Sequence, residues 1–258
     1  MKKALATMVL AVCVFYGAEA FGTPSTHIWA PSTDVQAYGV GHITSDIYIP
    51  VDKPGTPPTT RPATITNLGL TVGVLPYEKL GLEVGFDHIE GTYPVYFNAK
   101  LGVPEGALGA NTPALAIGSY MIGTKSGGEA RAGRTSKLGT DYDVYYAKAA
   151  KTIGNLGRLS AGYYIGNKKL LVDENGKEDE KGVLLAWERT MSEISDNLWL
   201  SVDYMGGESN FGALAYGFAW KFAPNTSVIF GFVDQNNDKI LPGDTATVQV
   251  DIDFDIFK

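Results

Sequence analysis

The chain has 258 residues, of which 45% are hydrophobic and 19% are charged, and its formal net charge is −7. This hydrophobic content is enough to build a large folded core, so it excludes an intrinsically disordered chain. The acidic balance, without a basic patch, argues against nucleic acid as a partner.

The first twenty residues have the pattern of a secretory signal peptide. Two lysines open it, an apolar run covers residues 4–16, and the small-x-small sequence at 18–20 is a cleavage site. The run is shorter than the roughly 20 residues that a membrane-spanning helix needs. Cleavage removes Cys13, the only cysteine in the sequence, and so excludes disulfides and thiolate metal sites from the mature chain, residues 21–258. That chain carries 19 basic and 27 acidic residues, a net charge of −8.

Twelve segments of alternating apolar and polar residues follow. They cover approximately residues 34–49, 65–75, 80–89, 95–103, 114–124, 141–152, 158–168, 182–192, 198–206, 211–222, 228–234 and 245–257. Gly, Pro, Asn or Asp separates them, and no segment of helical period with caps lies between them. Because successive side chains of a strand point to opposite faces, each segment predicts a strand with one apolar and one polar face.

The last segment shows this alternation most clearly. In the sequence TVQVDIDFDIF, residues 247–257, apolar residues alternate with a glutamine and then with Asp251, Asp253 and Asp255. As a strand, the segment has one apolar face and one face that carries three carboxylates. This strand alone fits either a soluble sheet or a sheet in a membrane.

The connections between the segments alternate in length. Five of them are mostly tight turns: PYEK, PEGALGANTP, IGNLG, SEISDN and APNTS. Four are long and polar: VDKPGTPPTTRPAT, KSGGEARAGRTSKLGT, LLVDENGKEDEK and QNNDKILPGD. EGTYP and GGESN take the two remaining places on the long side, although both are short. Short turns at one rim and longer loops at the other are typical of a transmembrane barrel.

Over residues 34–258 the chain resembles the bacterial outer-membrane β-barrel proteins. The alternating strands and the alternating connection lengths carry this resemblance, and no short motif points to one subfamily. It implies an all-β fold: a closed antiparallel transmembrane barrel of about twelve strands in the outer membrane, with short periplasmic turns and longer extracellular loops. Lipids and lipopolysaccharide are its implied surroundings. It also implies insertion by the barrel-assembly machinery, which recognises a terminal aromatic residue; here Phe257 is penultimate and Lys258 is last.

The physical requirement for closure is independent of that resemblance. Hydrocarbon offers no hydrogen bonds, so a sheet can span it only if no edge is left open. Aromatic residues near the short turns are expected to form an interfacial girdle; they are Tyr77, Trp187, Trp199, Trp220 and Phe222. The alternative is a soluble periplasmic ligand-binding barrel, in which the apolar faces form a core.

The register that turns the apolar faces outward turns a set of charged residues inward. The acids are Asp46, Glu83, Asp87, Glu188, Asp203, Asp251, Asp253 and Asp255, and the bases are Lys100, Lys148 and Lys221. Closure places His42 of the first segment beside the aspartates of the last, where it is expected to add a pH dependence. The excess of acids predicts a pore that prefers cations. The alternative is a plugged barrel with a structural or partner-binding role.

An outer-leaflet lipid hydrolase is also considered. His88 lies between Asp87 and Ile89 on the predicted lipid face and would be the base, with Ser119 as the nucleophile. The sequence has only three histidines and lacks the Gly-x-Ser-x-Gly nucleophile elbow. The chain is therefore predicted not to be an enzyme and to need no cofactor.

A calcium loop is the one metal site that the sequence suggests. Asp234, Asn236 and Asp238 supply oxygen ligands at alternate positions, as such loops do. Lys239 takes the place of the expected turn glycine, and no glutamate follows at the twelfth position. A solvated acidic loop is the competing interpretation.

Overall fold

The computed structural model describes residues 25–51, 62–127, 139–240 and 242–256. Its strands are β1 (Val40–Pro50), β2 (Ile65–Gly73), β3 (Gly81–Ile89), β4 (Val95–Val103), β5 (Ala114–Gly123), β6 (Val144–Thr152), β7 (Arg158–Ile165), β8 (Lys181–Thr190), β9 (Leu198–Met205), β10 (Ala213–Ala223), β11 (Thr226–Gln235) and β12 (Thr245–Asp255). Each strand pairs with its neighbours in chain order, and β1 pairs with β12 in antiparallel register, so the sheet closes. The prediction of an all-β, twelve-stranded antiparallel barrel is confirmed.

Helical structure is minor in the part of the chain that the structure describes. A 3-10 turn covers Gly154–Leu156. No helix in the described ranges is long and apolar enough to cross a membrane. The predicted signal peptide, residues 1–20, and the terminal Phe257 and Lys258 lie outside the described residues.

The two ends of the barrel differ in their connections. One end, called here the short-turn end, carries the links from β2 to β3, β4 to β5, β6 to β7, β8 to β9 and β10 to β11. The other, the long-loop end, carries the remaining links between consecutive strands. Because β1 begins and β12 ends at the short-turn end, the chain enters and leaves the barrel there.

The outward surface is apolar because the alternation of each strand sends its larger apolar residues outward. On β10, Leu214, Tyr216 and Phe218 are exposed, whereas Ala215 between them is buried. Phe218 stacks on Phe230 of β11 with the ring centroids 5.4 Å apart. Such cross-strand aromatic pairs stabilise a sheet beyond the area that they bury.

The predicted aromatic girdle is wrong at one position. Trp199 on β9 is 2% exposed and faces the interior, where its Nε1 donates a hydrogen bond to Glu188 Oε2 at 3.1 Å. Trp199 and Asp203 are separated by an even number of residues on β9, so both side chains point to the same, inner face of the strand. Trp187 on β8 does lie on the outer side, where its indole nitrogen donates to a carbonyl oxygen of the adjacent short turn at 2.7 Å.

The first strand is shorter than predicted. The sequence pattern predicts a strand from residue 34, but β1 begins at Val40. Residues 25–36 form instead a hairpin inside the barrel, which cross-strand backbone hydrogen bonds of 2.8 and 3.1 Å close. We call residues 25–36 the N-terminal hairpin. It is tied to the barrel wall by charged residues far away in the sequence, and these outweigh the local strand pattern.

Candidate functional site in the barrel lumen

Asp203 on β9 binds the tip of the N-terminal hairpin. Its carboxylate accepts hydrogen bonds from the backbone N–H groups of Ile28 at 2.9 Å, Trp29 at 3.2 Å and Ala30 at 2.7 Å. Asp203 is 1% exposed, so these charge-assisted bonds take the place of its hydration. The indole nitrogen of Trp29 also donates to the carbonyl oxygen of Phe211 at 2.9 Å. The tip is thus fixed toward the long-loop end.

Two buried lysines hold carbonyl oxygens of the hairpin. Lys148 Nζ on β6 donates to Pro31 O at 2.8 Å. Lys100 Nζ on β4 donates to Ser25 O at 3.1 Å and to Asp34 O at 2.5 Å. Both lysines are 3% exposed, and an ammonium group has three donors to satisfy. Carbonyl oxygens of the hairpin backbone accept part of these hydrogen bonds, Ser25 O and Asp34 O from Lys100 and Pro31 O from Lys148.

Arg158, at the start of β7, holds the returning arm of the hairpin. Its Nη1 lies 2.7 and 2.8 Å from the carboxylate oxygens of Asp34, and its Nη2 donates to Thr33 Oγ1 at 2.6 Å. The same Nη1 lies 3.4 Å from Glu188 Oε1. The sequence analysis missed Arg158 because it is the first residue of its strand, where alternation does not fix the direction of a side chain.

Glu83 on β3 joins both arms of the hairpin near the short-turn end. It accepts hydrogen bonds from Ser25 Oγ at 2.9 Å and from the backbone N–H of Gln36 at 2.7 Å. Val35 beside it packs where β4 carries Gly102. A Cβ at Gly102 would lie 2.5 Å from a methyl group of Val35, so a residue larger than glycine would clash with the hairpin there.

His27 is the buried titratable residue of the hairpin. It is 2% exposed, and its Nδ1 lies 3.8 Å from Glu188 Oε2. Burial, and then the positive charges of Lys148, Arg158 and Lys100, lower the pKa of His27 well below its ordinary value. The docked hairpin therefore contains a neutral imidazole.

A second wall of the lumen, on β1 to β4, carries carboxylates with neutral partners. Asp46 accepts from Thr44 Oγ1 at 2.6 Å and from Asn67 Nδ2 at 3.1 Å. Asp87 accepts from the same Asn67 Nδ2 at 3.1 Å and from Asn98 Nδ2 at 2.9 Å. We call Thr44, Asp46, Asn67, Asp87 and Asn98 the acidic ladder. It runs around the barrel across four consecutive strands.

His42 links the first strand to the last. Its Nδ1 lies 2.7 Å from Asp253 Oδ1, and its Nε2 lies 3.3 Å from Asp251 Oδ1. The register of closure pairs His42 with Asp253 and Thr44 with Asp251. Each ring nitrogen thus faces a carboxylate oxygen, within hydrogen-bond distance of Asp253 at Nδ1 and farther from Asp251 at Nε2.

The remaining sequence-derived lumen residues lie toward the rim. Asp253 has a side chain that is 46% exposed, and it also accepts a hydrogen bond from Gln36 Nε2 at 3.1 Å. Asp255, at the end of β12, is exposed, and Lys221, near the end of β10, is half-buried. The aspartate row of the last strand therefore runs from the buried interior at Asp251 out to solvent.

The interior near the long-loop end is apolar and aromatic. One buried cluster contains Ala30, Val144, Tyr146, Tyr164, Leu171, Leu184, Met205 and Phe211, with Trp29, Tyr120, Met121 and Tyr142 packed against it. We call this cluster the apolar septum. Ala30 belongs to the hairpin, whereas Leu171 belongs to the loop between β7 and β8 and is fully buried. Segments from the two ends of the barrel therefore meet in the septum.

The residues of the candidate calcium loop lie at the end of β11 and just after it. Asp234 is exposed on β11, and the amide nitrogen of Asn236 donates to Met205 O at 3.0 Å and to Gly207 O at 2.7 Å. Among the residues described, no group of three or more His, Cys, Asp or Glu side chains is arranged to hold a metal ion. A calcium site at Asp234, Asn236 and Asp238 stays a prediction.

The candidate hydrolase pair is not assembled. The register aligns Ser119 on β5 with Ala99 on β4, and Ala99 with Val84 on β3. His88 lies four residues further along β3 than Val84, which is roughly 13 Å at the rise of a strand. His88 and Ser119 therefore stand at different heights of the barrel wall and cannot share a proton.

No protein-family model matches this chain, and no curated protein matches its sequence. An outer membrane channel from Pseudomonas putida F1 has a similar structure, with 10% sequence identity, a TM-score of 0.50, and coverage of 85% of this chain and 97% of that one. A mutant porin of Rh. blastica gives 13% identity, a TM-score of 0.38, and coverage of 74% and 55%. OmpF of Salmonella typhi, in complex with daunomycin, gives 9% identity, a TM-score of 0.37, and coverage of 83% and 96%. The chain shares with the Pseudomonas putida F1 channel the fold of a closed antiparallel β-barrel.

Proposed function

We propose that this protein is an outer-membrane channel for ions and small solutes, closed in this conformation by its N-terminal hairpin. The short-turn end would face the periplasm and the long-loop end the exterior. The apolar outward surface supports a membrane location, because a closed sheet of this kind leaves no backbone group unsatisfied in hydrocarbon. The fold similarity to an outer membrane channel supports the same class of protein.

The observation that carries the proposal is a difference between two groups of lumen residues. One group bonds to the hairpin, and the other bonds within the barrel wall. The hairpin is bonded to Glu83, Lys100, Lys148, Arg158 and Asp203. The acidic ladder across the lumen is bonded within the wall, and Thr44, Asn67, Asp87 and Asn98 stay half-buried rather than sealed. A wetted polar wall beside a removable segment is what a gated passage requires.

We further propose that the passage prefers cations. In the described part of the lumen, the hydrogen bonds given for the Asp46 and Asp87 side chains come from neutral amide and hydroxyl donors. The buried base Lys100 has a carboxylate partner in Glu83 at 3.0 Å. Excess negative charge along a narrow lumen concentrates cations there and repels anions.

The second candidate is a permanently plugged barrel with a structural or partner-binding role. The apolar septum favours it, because the fully buried Leu171 and Ala30, from opposite ends of the barrel, belong to one apolar cluster there. Surrounding lipid and lipopolysaccharide, and assembly by the barrel-assembly machinery, are common to both candidates.

The first test is location. We expect the protein in the outer-membrane fraction, with a folded form that migrates faster than its boiled form on a denaturing gel. Recovery as a soluble periplasmic protein that needs no detergent would contradict the proposal and favour the soluble ligand-binding barrel.

The second test is conductance in planar lipid bilayers. We expect a variant that lacks residues 25–36 to conduct continuously, and the full chain to conduct rarely or with a smaller unit current, because the hairpin fills the lumen. A matched control keeps the hairpin and replaces residues 174–177 of a long loop with glycine and serine; it should behave like the full chain. A folded deletion variant without any channel events would favour the plugged barrel.

A further inference from the structure

We propose, building on the channel function above, that the apolar septum is a binding site for small aromatic solutes that carry one polar group. In the conformation described here, the tip of the N-terminal hairpin occupies part of that site. The solute and the hairpin tip therefore compete for the same aromatic surface. This makes the septum the place where the channel selects an uncharged solute.

The first observation is the arrangement of the rings. Tyr120 lies edge-to-face with Tyr146 at 6.0 Å between centroids and with Phe211 at 5.9 Å. Tyr142 lies edge-to-face with the same Phe211 at 5.4 Å. Rings at these separations and angles stabilise one another through their quadrupoles, and a further ring gains the same interaction. An aliphatic ring of equal size gains only contact area.

The second observation is a β-bulge that turns two consecutive residues into the septum. On β4, Phe97 pairs with Ile122 and Ala99 with Ser119, so a single residue of β4 opposes both Tyr120 and Met121. Met121 has a φ of 55°, in the left-handed region that a non-glycine residue rarely adopts. Simple alternation would send Met121 to the outer surface, but it packs against the septum.

A neighbouring residue supports the bulge with a second unusual conformation. Asp143, just before β6, has a φ of 46°, and its N–H donates to Met121 O at 3.1 Å. Bulges and strained residues collect where a side chain must be re-aimed for function. A core that served only to fill space could be built from a regular strand without them.

The third observation is the polar group within the septum. The Tyr120 hydroxyl has Met205 Sδ as a partner at 3.5 Å, and a thioether sulfur is a weak acceptor. A solute that carries a hydroxyl or carbonyl oxygen offers this donor a stronger acceptor. The aromatic cluster is the reason for proposing a solute with an aromatic ring. The Tyr120 hydroxyl is the reason for proposing that this solute carries one polar group.

The present contents of the septum show how a solute would reach it. Ala30 belongs to the cluster and Trp29 packs against it, yet the hairpin tip is held mainly by polar bonds to the Asp203 carboxylate. Weakening those bonds frees the aromatic surface without altering it. Hence a change at Asp203 should strengthen solute binding, whereas a change at Tyr120 or Phe211 should weaken it.

Isothermal titration calorimetry of the full chain in lipid nanodiscs tests this, with titration of empty nanodiscs subtracted. The probes are benzyl alcohol and its saturated counterpart, cyclohexylmethanol. We expect benzyl alcohol to bind at least about tenfold more tightly than cyclohexylmethanol, Phe211→Leu and Tyr120→Leu each to weaken it by roughly tenfold, and Asp203→Asn to strengthen it. Tyr163→Leu, on the exposed outer side of β7, is the matched control and should leave the affinity unchanged.

Equal affinity for both probes would overturn the proposal, as would a benzyl alcohol affinity unchanged by Phe211→Leu. An equal loss in the Tyr163→Leu control would show that the probe binds at the lipid surface instead. Two substitutions in the septum are tested so that the result does not depend on a single variant that fails to fold. Gel mobility before and after boiling shows whether each variant is folded. Calorimetry needs no conductance, so a barrel that conducts but does not bind the probe rejects the aromatic site alone. A barrel that binds it but never conducts rejects the channel alone.

Discussion

Two walls of the same lumen use buried charge in opposite ways. On the wall that includes β6, β7 and β9, charges of both signs bind the hairpin: Lys148 a carbonyl oxygen, Arg158 the carboxylate of Asp34, and Asp203 three backbone N–H groups. On the acidic ladder, the carboxylates accept from amides and a hydroxyl of their own and neighbouring strands. The first arrangement holds a chain segment in place, and the second bonds carboxylates within the barrel wall.

The difference follows from the partners rather than from depth. Asp203 is 1% exposed and Asp46 is 8% exposed, so both are buried carboxylates. The hairpin supplies the N–H groups that replace the hydration of the Asp203 carboxylate. The buried carboxylate therefore depends on the docked hairpin for its hydrogen bonds. Asp46 keeps its bonds to Thr44 and Asn67 whether or not the hairpin is docked. Substitutions on the first wall should therefore change gating, and substitutions on the ladder should change selectivity.

The largest effect is expected from Asp203→Asn. The amide keeps one acceptor oxygen but loses the charge that three N–H groups share, which costs about 2–3 kcal/mol of docking free energy. The open probability in planar bilayers should rise by roughly 30-fold to 160-fold. Asp255→Asn, at the exposed rim, is the control. An unchanged open probability in a correctly folded Asp203→Asn variant would show that the hairpin is not the gate.

Acidification should release the hairpin through His27. The pKa of docked His27 is depressed, whereas a released histidine takes up a proton near pH 6.5, so docking is strongest above that pH and weakens below it. Between pH 7.5 and pH 5.5 the docking equilibrium should shift toward release by about tenfold. Single-channel recording across this range measures the shift.

Two variants separate the histidines in that experiment. His27→Gln removes the proton acceptor of the hairpin and should flatten the pH dependence of the open probability. His42→Gln leaves that dependence in place and alters only the charge beside Asp251 and Asp253. A pH response that survives in His27→Gln would assign it to another group.

A smaller effect is expected from the acidic ladder. In the variant that lacks residues 25–36, the Asp46→Asn, Asp87→Asn double substitution should lower the cation-to-anion permeability ratio by roughly twofold to threefold. The Asp251→Asn, Asp253→Asn, Asp255→Asn triple variant should act in the same direction. Reversal potentials under a KCl gradient give the ratio. Anion preference before any substitution would contradict the assignment.

The smallest effect is expected from Asp255→Asn alone. Its carboxylate is exposed at the rim, where solvent and salt screen the charge. We expect a reversal potential that differs from the unsubstituted channel by less than the double variant does, measured in the same gradient. A shift as large as that of the double variant would place the selectivity filter at the rim instead of on the ladder.

The barrel was predictable from the sequence because the alternation of residues within each strand shows which of its faces is apolar. In β12 the alternation of Val250 and Ile252 with Asp251 fixes which side faces inward, since an aspartate in hydrocarbon is costly. Closure then follows from the need to leave no edge, and it pairs His42 with Asp253 as expected. Where a residue was assigned by its distance from a turn and not by parity, as with Trp199, the prediction was wrong.

The hairpin could not be predicted by the same reasoning. Its residues 34–36 continue the alternation of β1 well enough to suggest a longer strand, and the hydrogen bonds given within its own backbone, from His27 to Ala30 and from Ser32 to Ser25, are local. Its position is set by bonds from Ala30 and Ile28 to Asp203, which span 173 and 175 residues of sequence. No local pattern records such a partner.

The sequence by itself therefore determined the number of strands and the side of each strand that is apolar, because strand periodicity and the cost of charge in hydrocarbon act on each segment separately. Only the tertiary structure decided which acids are engaged by the hairpin and which remain on the passage. That division depends on where the closed barrel brings Asp203, Arg158 and Lys148 together around one segment. Buried charges must find partners wherever the fold places them, and the partner of Asp203 is a backbone that carries no side-chain signal.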